Sequence, residues 1–174
     1  DGKVDDIGDL RPIPKDDIID CKGKLLIPGL INTHTHLSMA LFRGYADDLE
    51  LQQWLEQKIW PLEKQLTGDM CYNGALLGSL EMTRTGTTCF VDMYFHMERV
   101  AEAVREAGLR AVLSYGVIDP KETGAGRERE NTLKLLEHIR SLNEPRLEFA
   151  VGPHSPYTCG EETLLWAEEL AEKN

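Results

Sequence analysis

The sequence predicts an α/β fold that corresponds to the first half of a (β/α)8 barrel of the TIM type. Four short apolar segments alternate with helical segments along the chain, a pattern typical of parallel strands joined by crossover helices. A doubly wound sheet also fits this alternation, but neither GxGxxG nor GxxxxGK with a following Ser or Thr comes after any of the four segments. Because a complete barrel needs roughly 250 residues and the chain has 174, we expect it to end after the fourth βα unit.

Each predicted strand is a short run rich in β-branched and aromatic residues. The first covers 30–34 and follows the turn signal Pro28–Gly29, and the apolar run Lys24–Ile27 before that turn gives a further strand signal. The other three segments are TTCFVD, RAVLSYG and LEFAVG, at residues 87–92, 110–116 and 147–152. We therefore expect four parallel strands in the core region.

The predicted helices show apolar residues at spacings of three and four. At 97–107 these residues share one face and Gly108 ends the helix, and at 131–142 three apolar residues are aligned in the same way. A loop that contains glycine, from Asp119 to about Arg127, connects the third strand to the second of these helices. Three further helices are expected at 50–58, 69–84 and 161–173.

The first 28 residues differ in composition from the rest of the chain. They are polar and charged, contain glycine and proline at several positions, and begin at Asp1 without a methionine. We interpret residues 1–28 as the remnant of an N-terminal β-sandwich domain with its linker, and we expect the natural N-terminus to lie upstream. Residues 29–174 are interpreted as the first four βα units of an incomplete barrel.

The charge balance and the cysteines restrict the class of protein. A net charge of −11 and a pI of about 4.9 disfavour nucleic acid as a partner, because phosphate contacts need clustered Lys and Arg. No apolar run approaches the length that spans a bilayer, so we expect no membrane partner. The four cysteines are widely spaced and form no CxxC pair, which favours reduced thiols in a cytoplasmic protein.

The strongest chemical signal is His34-Thr35-His36, at the end of the first predicted strand. Residues two apart in a strand point to the same side, so two imidazoles at this spacing can converge on one metal ion such as Zn or Fe. Barrel active sites lie at this end of the strands. A bare HxH pair also occurs by chance, and two polar residues with local hydrogen bonds are the alternative interpretation.

The segment from Leu26 to His36, LIPGLINTHTH, resembles the opening strand of the amidohydrolase superfamily, in which an apolar strand and Pro-Gly precede HxH. Later segments are similar to landmarks of the branch that deaminates 5'-methylthioadenosine and S-adenosylhomocysteine. GPHSPYT together with WPLE is the most specific part of this resemblance. The landmarks are Leu41–Gly44, Trp54–Leu55, Trp60–Glu63, Phe90–Tyr94 and Gly152–Tyr157.

The resemblance implies a role for individual residues. His34 and His36 would be two metal ligands, and Glu63 would hold the ribose hydroxyls, since a carboxylate can accept two hydroxyl hydrogen bonds. His154 would contact the purine and not the metal. Arg127 would bind the amino-acid carboxylate of S-adenosylhomocysteine through its planar guanidinium group.

Two departures from the family pattern refine these expectations. Some relatives have a second arginine near the end of the third strand, where this chain has Tyr115, and this favours the uncharged methylthio substrate. Binuclear relatives carry a bridging modified lysine on the fourth strand, whereas residues 147–153 contain no lysine. We therefore expect one divalent ion, zinc first and iron as the alternative.

The implied reaction is hydrolytic deamination of an adenosine-type nucleoside, with release of ammonia and the inosine analogue. The general base and the remaining ligands are expected beyond Asn174, so this half contains no catalytic residue and is expected to be inactive alone. We expect a small-molecule substrate and a homo-oligomer.

Other functions remain open. Related amidohydrolases act on guanine, cytosine or chlorinated triazines. Some barrels of the superfamily have lost their metal and serve as scaffolds, but the presence of His34 and His36 disfavours this interpretation. A different zinc deaminase fold has H-x-E with PCxxC. His96-Met97-Glu98 matches its first part, but the chain contains no PCxxC.

Overall fold

The computed structural model describes residues 3–119 and 125–174, and it confirms the predicted parallel α/β architecture. Strands β1 (Leu30–Thr35), β2 (Thr87–Tyr94), β3 (Arg110–Val117) and β4 (Leu147–Phe149) form one sheet in chain order, with each neighbouring pair parallel. Strand β5 (Gly152–Pro153) pairs with β3 beyond the end of β4. Together β4 and β5 form the predicted fourth strand, interrupted at 150–151.

The helices follow the strands as predicted. Thr67 begins one of them by accepting a hydrogen bond from the N–H of Met70 (3.3 Å), and Gly86 and Gly108 end two of them with positive φ angles of 86° and 79°. The helices are α1 (Leu51–Trp54), a π-helical turn (Leu55–Ile59), α2 (Trp60–Glu63), α3 (Gly68–Thr85), α4 (Met97–Ala107), α5 (Gly126–Leu142) and α6 (Glu161–Glu172), with a 3-10 helix at Leu37–Phe42.

Helix α5 begins earlier than the sequence predicts. The expected start was Asn131, but the helix begins at Gly126, so Arg127 lies in its first turn and not in a loop. The segment from Gly126 to Glu130 is charged and lacks apolar periodicity, which is why the pattern did not indicate a helix. The rest of the predicted loop, at 120–124, lies outside the described residues.

The helix predicted at 50–58 continues to Glu63 through the π-helical turn. The N–H of Trp60 bonds to the carbonyl of Leu55, five residues earlier. The segment therefore widens by one residue immediately before Pro61, whose ring clashes with the preceding turn in a regular α-helix. This irregular turn lets the helix pass the proline and reach Glu63.

The core lies between the sheet and helices α3, α4 and α5. Buried residues alternate along β2, where Phe90, Asp92 and Tyr94 lie on the face that packs under the helices. Val104 and Leu113 are fully buried in the same core. Burial of these apolar side chains fixes the strands in register, and the register brings the carboxyl ends of β1, β2 and β3 together at one edge.

Residues 3–28 form no helix or strand and are exposed throughout. The strand signal at Lys24–Ile27 was wrong: Leu26 is 88% exposed, and no described strand lies beside this run to pair with it. The interpretation of residues 1–28 as the remnant of a β domain stays a prediction. None of the described helices combines the length and the apolar composition that crossing a bilayer requires.

Candidate active site

The histidine pair lies at the carboxyl end of β1. The ring centroids of His34 and His36 are 5.2 Å apart and the rings meet edge to face. The Nδ1 atom of His36 lies 2.6 Å from the carbonyl oxygen of Met93, so Nδ1 carries the proton of the neutral ring and donates it there. Nε2 of His36 is then free as a lone-pair ligand, which is the tautomer that metal-binding histidines adopt.

Asp92 hydrogen-bonds to the residues on both sides of His36. Its Oδ1 atom accepts hydrogen bonds from the Thr35 hydroxyl (2.7 Å) and from the N–H of Leu37 (2.8 Å). The Asp92 side chain is completely buried, and its Oδ2 atom has no hydrogen-bond partner in the described residues. Burial raises the pKa of Asp92 to about 6, against the effect of the two hydrogen bonds.

The described residues supply only part of a metal site. Within 3–119 and 125–174, no group of three or more His, Cys, Asp or Glu side chains converges in a way that could hold an ion. His34 and His36 therefore form a pair that fits a metal ion but does not close a coordination shell.

A cavity of about 290 Å³ opens at the same edge of the sheet and brings together three of the predicted site residues. His36, Glu63 and His154 all line it. Its remaining wall is largely apolar and aromatic. The apolar side includes Trp54, Leu55, Ile59, Trp60 and Phe95. The cavity thus combines a flat apolar surface with a few polar groups, which is typical of a small-molecule site.

Glu63 is half-buried at the end of α2 and bonds to β2. The Tyr94 hydroxyl donates to Glu63 Oε1 over 2.8 Å. Burial raises the pKa of Glu63 above its ordinary value, while the hydrogen bond from Tyr94 and the nearby His36 ring act in the opposite direction. Burial and the adjacent Glu63 carboxylate also raise the pKa of Tyr94, so its hydroxyl keeps the proton that it donates.

His154 follows β5 and is held by its backbone and its ring. Its N–H donates to the carbonyl of Val117 (3.0 Å), and Nδ1 lies 2.9 Å from the Thr158 hydroxyl. Burial lowers the pKa of His154, and the nearby His36 acts in the same direction. The neutral imidazole is therefore favoured, with one nitrogen used by Thr158 and the other able to face the cavity.

Arg127 lines a second cavity of about 940 Å³, together with Tyr115. The two cavities adjoin, because they share four lining residues: Trp60, Glu63, Phe95 and Ile118. The Tyr115 hydroxyl accepts a hydrogen bond from the Asn131 side-chain amide (3.0 Å). Arg127 therefore lies in a different cavity from His36 and His154, and Glu63 is the charged residue that lines both cavities.

Sequence reasoning did not assign roles to Tyr94, Asp92 or Thr35. Asp92 carries one detectable signal, since a carboxylate in the apolar run TTCFVD needs a buried hydrogen-bond donor. Tyr94 and Glu63 are separated by 31 residues, and no local pattern indicates that their side chains meet.

Parallel βα units with polar side chains gathered at the carboxyl ends of the strands are typical of α/β-barrel enzymes. The model of the amidohydrolase family matches residues 25–174, and the chain belongs to this family.

Relatives of this chain are named as deaminases. The chain is 53% identical over 176 residues to the 5'-deoxyadenosine deaminase of Methanothermobacter thermautotrophicus. It is 53% identical over 172 residues to the 5-methylthioadenosine/S-adenosylhomocysteine deaminase of Thermococcus sibiricus. The matches cover 100% and 98% of this chain but 41% of each relative, so the chain spans about two fifths of their length.

Solved structures share the fold. A zinc-bound adenosine deaminase from Xanthomonas campestris superposes with a TM-score of 0.75 at 35% identity, over 84% of this chain and 34% of that one. A zinc complex of atrazine chlorohydrolase from Arthrobacter aurescens has a TM-score of 0.71 at 21% identity, over 84% and 38% of the two chains. The second likeness concerns the fold alone.

Proposed function

We propose that the whole protein is a metal-dependent hydrolase that deaminates adenosine-type nucleosides and releases ammonia and the inosine analogue. The candidate substrates are 5'-methylthioadenosine, S-adenosylhomocysteine, 5'-deoxyadenosine and adenosine. The observation that carries this proposal is the single cavity lined by His36, Glu63 and His154 at the carboxyl ends of the strands. The names of relatives at 53% identity support it.

We infer that His34 and His36 hold one divalent ion, zinc first and iron as the alternative. Their close rings and the free Nε2 of His36 support this assignment, as does the zinc in the solved adenosine deaminase. When bound, such an ion supplies a Lewis acid that activates water near neutral pH. The remaining ligands and the general base would come from other parts of the whole protein.

Glu63 would bind the sugar. In a cavity whose wall is mostly apolar, a carboxylate with one oxygen that no described residue hydrogen-bonds is suited to accept hydroxyl hydrogen bonds. His154 would bind the purine with the ring nitrogen that Thr158 leaves free, and Pro153 and Pro156 restrict the backbone on either side.

The second cavity would take the group attached to the 5' carbon of the nucleoside. Arg127 and Lys64 both line this cavity, and the guanidinium of Arg127 suits the planar amino-acid carboxylate of S-adenosylhomocysteine. Tyr115 is uncharged and is held by Asn131, so it adds no second guanidinium, and three glutamates line the same cavity. We therefore expect the uncharged 5' substituents to be preferred.

We also propose that the protein acts in the cytoplasm as a homo-oligomer, with no nucleic-acid partner. The net charge of −11 disfavours nucleic acid, and the cysteines, none of which is paired in a disulfide within the described residues, favour a reducing compartment. The homo-oligomer stays a prediction.

The test is turnover by the whole protein. Ammonia release should be measured with the four candidate nucleosides and with guanine, cytosine and a chlorinated triazine. We expect activity with adenosine-type nucleosides and its loss in His34→Asn and His36→Asn. His138→Gln is the matched control, because His138 is half-buried beside Glu102 and lines neither cavity. Activity restricted to the bases or the triazine would overturn the proposal.

A further inference from the structure

Among the described residues, only one of the two carboxylate oxygens of Glu63 has a hydrogen-bond partner. Oε1 accepts the hydroxyl of Tyr94, while Oε2 has no hydrogen-bond partner in the part of the chain that the structure describes. Glu63 also lines both cavities, and it is the one charged residue among the four that the two cavities share. The unpaired oxygen is therefore the polar group that a molecule spanning both cavities would meet.

Tyr94 is the rigid member of this pair. Its side chain is 4% exposed, and it is the last residue of β2. Its ring packs at 5.1 Å from the Phe95 ring and at 6.1 Å from the His36 ring, measured between centroids. A tyrosine held in this way keeps its hydroxyl in one place, and the hydrogen bond transfers that restriction to the flexible Glu63 side chain.

The same tyrosine connects the two functional regions. It contacts His36 through its ring and Glu63 through its hydroxyl, so it fixes the separation between the histidine pair and the carboxylate. A nucleoside that binds Glu63 with its sugar and presents its base to the histidines must match this separation.

We propose that Tyr94 is a positioning residue that sets the Glu63 carboxylate for bidentate binding of a vicinal diol, and so makes the site selective for ribonucleosides over deoxynucleosides. The proposal rests on the sugar-binding role of Glu63 given above. A carboxylate held in one orientation can accept two adjacent hydroxyl groups at once. A carboxylate free to rotate loses this advantage for the diol but still accepts a single hydroxyl.

The experiment compares Tyr94→Phe with the wild-type whole protein, using adenosine and its 2'-deoxy and 3'-deoxy analogues. The substitution keeps the ring and removes the hydroxyl. We expect KM for adenosine to rise about tenfold, the effect of one lost hydrogen bond. We expect kcat to change less than twofold, and KM for the deoxy analogues to change little. The ratio of kcat/KM between adenosine and its deoxy analogues should therefore fall about tenfold.

Tyr72→Phe is the matched control, because its hydroxyl bonds to Glu106 and the residue lines neither cavity. This variant should leave the ratio unchanged. Glu63→Gln alone should reduce the ratio of kcat/KM between adenosine and its deoxy analogues. Adding Tyr94→Phe to this variant should reduce the ratio no further, because the two residues act through one contact.

Three outcomes separate failure of this proposal from failure of the proposed function. If adenosine is deaminated and Tyr94→Phe lowers kcat equally for all three nucleosides, Tyr94 is structural and the inference is overturned. If Glu63→Gln also leaves the ratio of kcat/KM between adenosine and its deoxy analogues unchanged, the sugar-binding role of Glu63 is rejected as well. If the whole protein turns over no nucleoside, the binding of purine riboside and of its 2'-deoxy analogue is measured by calorimetry instead. Equal weakening of both affinities by Tyr94→Phe would reject the proposal.

Discussion

The Thr35 hydroxyl donates to the Asp92 carboxylate over 2.7 Å, and this bond joins the two strands directly behind the histidine pair. Thr35 lies between His34 and His36 in the sequence, so its side chain leaves the strand on the opposite face. The same carboxylate oxygen accepts the N–H of Leu37. The buried Asp92 carboxylate thus holds the two neighbours of His36 in place, although it does not itself line the cavity.

The first prediction concerns this support. Thr35→Val keeps the shape of the side chain and removes the hydrogen bond, and it should weaken zinc binding by the whole protein about 10- to 100-fold. Thr35→Ser should restore most of the affinity. Asp92→Asn should stay near wild type, because Oδ1 is retained and the replaced Oδ2 has no partner among the described residues. Chelator competition measures the affinities, and wild-type zinc binding by Thr35→Val would show that the bond is dispensable.

The second prediction is the metal content. Metal analysis of the purified whole protein should give close to one zinc or iron per chain, because the fourth strand contains no lysine that could bridge two ions. His34→Asn and His36→Asn should lose the metal, while His138→Gln retains it. A content of two ions per chain would refute the mononuclear assignment.

The third prediction separates substrate residues from metal ligands. Glu63→Gln should lower kcat/KM for ribonucleosides about 10- to 100-fold, since a charged hydrogen-bond acceptor is lost. His154→Gln should also lower kcat/KM, because the ring nitrogen that faces the cavity is removed. Both variants should keep the metal content of the wild type. Loss of metal in either variant would place that residue in the coordination shell.

The fourth prediction is the pH dependence of KM. Glu63 accepts hydroxyl hydrogen bonds with both oxygens only when ionised, and burial raises its pKa above the ordinary value of 4.5. KM should therefore rise as the pH falls, beginning at a higher pH than for an ordinary glutamate. Tyr94→Phe removes a hydrogen bond that favours the ionised form, so the rise should begin at a still higher pH. Glu63→Gln should lack the rise, and the same midpoint in wild type and Tyr94→Phe would argue against the link.

The fifth prediction concerns residues 1–174 expressed alone. Leu30 and Ile31 on β1 are 56% and 67% exposed, and β1 and β4 pair with a described strand on one side only. Such apolar edges favour association with another chain. The polypeptide should self-associate, bind zinc weakly through two histidines and show no deamination. Light scattering and an ammonia assay test this, and a monomer with turnover would contradict it.

The elements that the sequence predicted well are those with local signals. Helix α4 was predicted from its apolar face and Gly108, and β2 and β3 were predicted to within two residues of their ends. The apolar run at Lys24–Ile27 has the composition of a strand, but composition does not show whether a neighbouring strand is present. The start of α5 was predicted too late because its first turn is charged.

Sequence motifs indicated which residues belong to the candidate site, but they did not indicate which of their side chains contact one another. His34, His36 and His154 stand at strand ends that the alternation of elements locates. The pairing of Tyr94 with Glu63 depends on where α2 lies relative to β2, and the sequence predicted a helix that ends at residue 58, before Glu63. Only the tertiary structure brings these two side chains together.

The π-helical turn at Leu55–Ile59 has a consequence for how this segment tolerates change. A regular α-helix advances about 100° per residue, so one residue more or fewer rotates everything after it by that angle. The direction of the Glu63 carboxylate therefore depends on how many residues separate it from Trp54, and less on which residues they are. Substitutions at the exposed positions of the turn, Glu56 and Gln57, should be tolerated, whereas deletion of a single residue would turn the carboxylate away from Tyr94. Length, and not composition, is the conserved quantity to look for in this stretch of related chains.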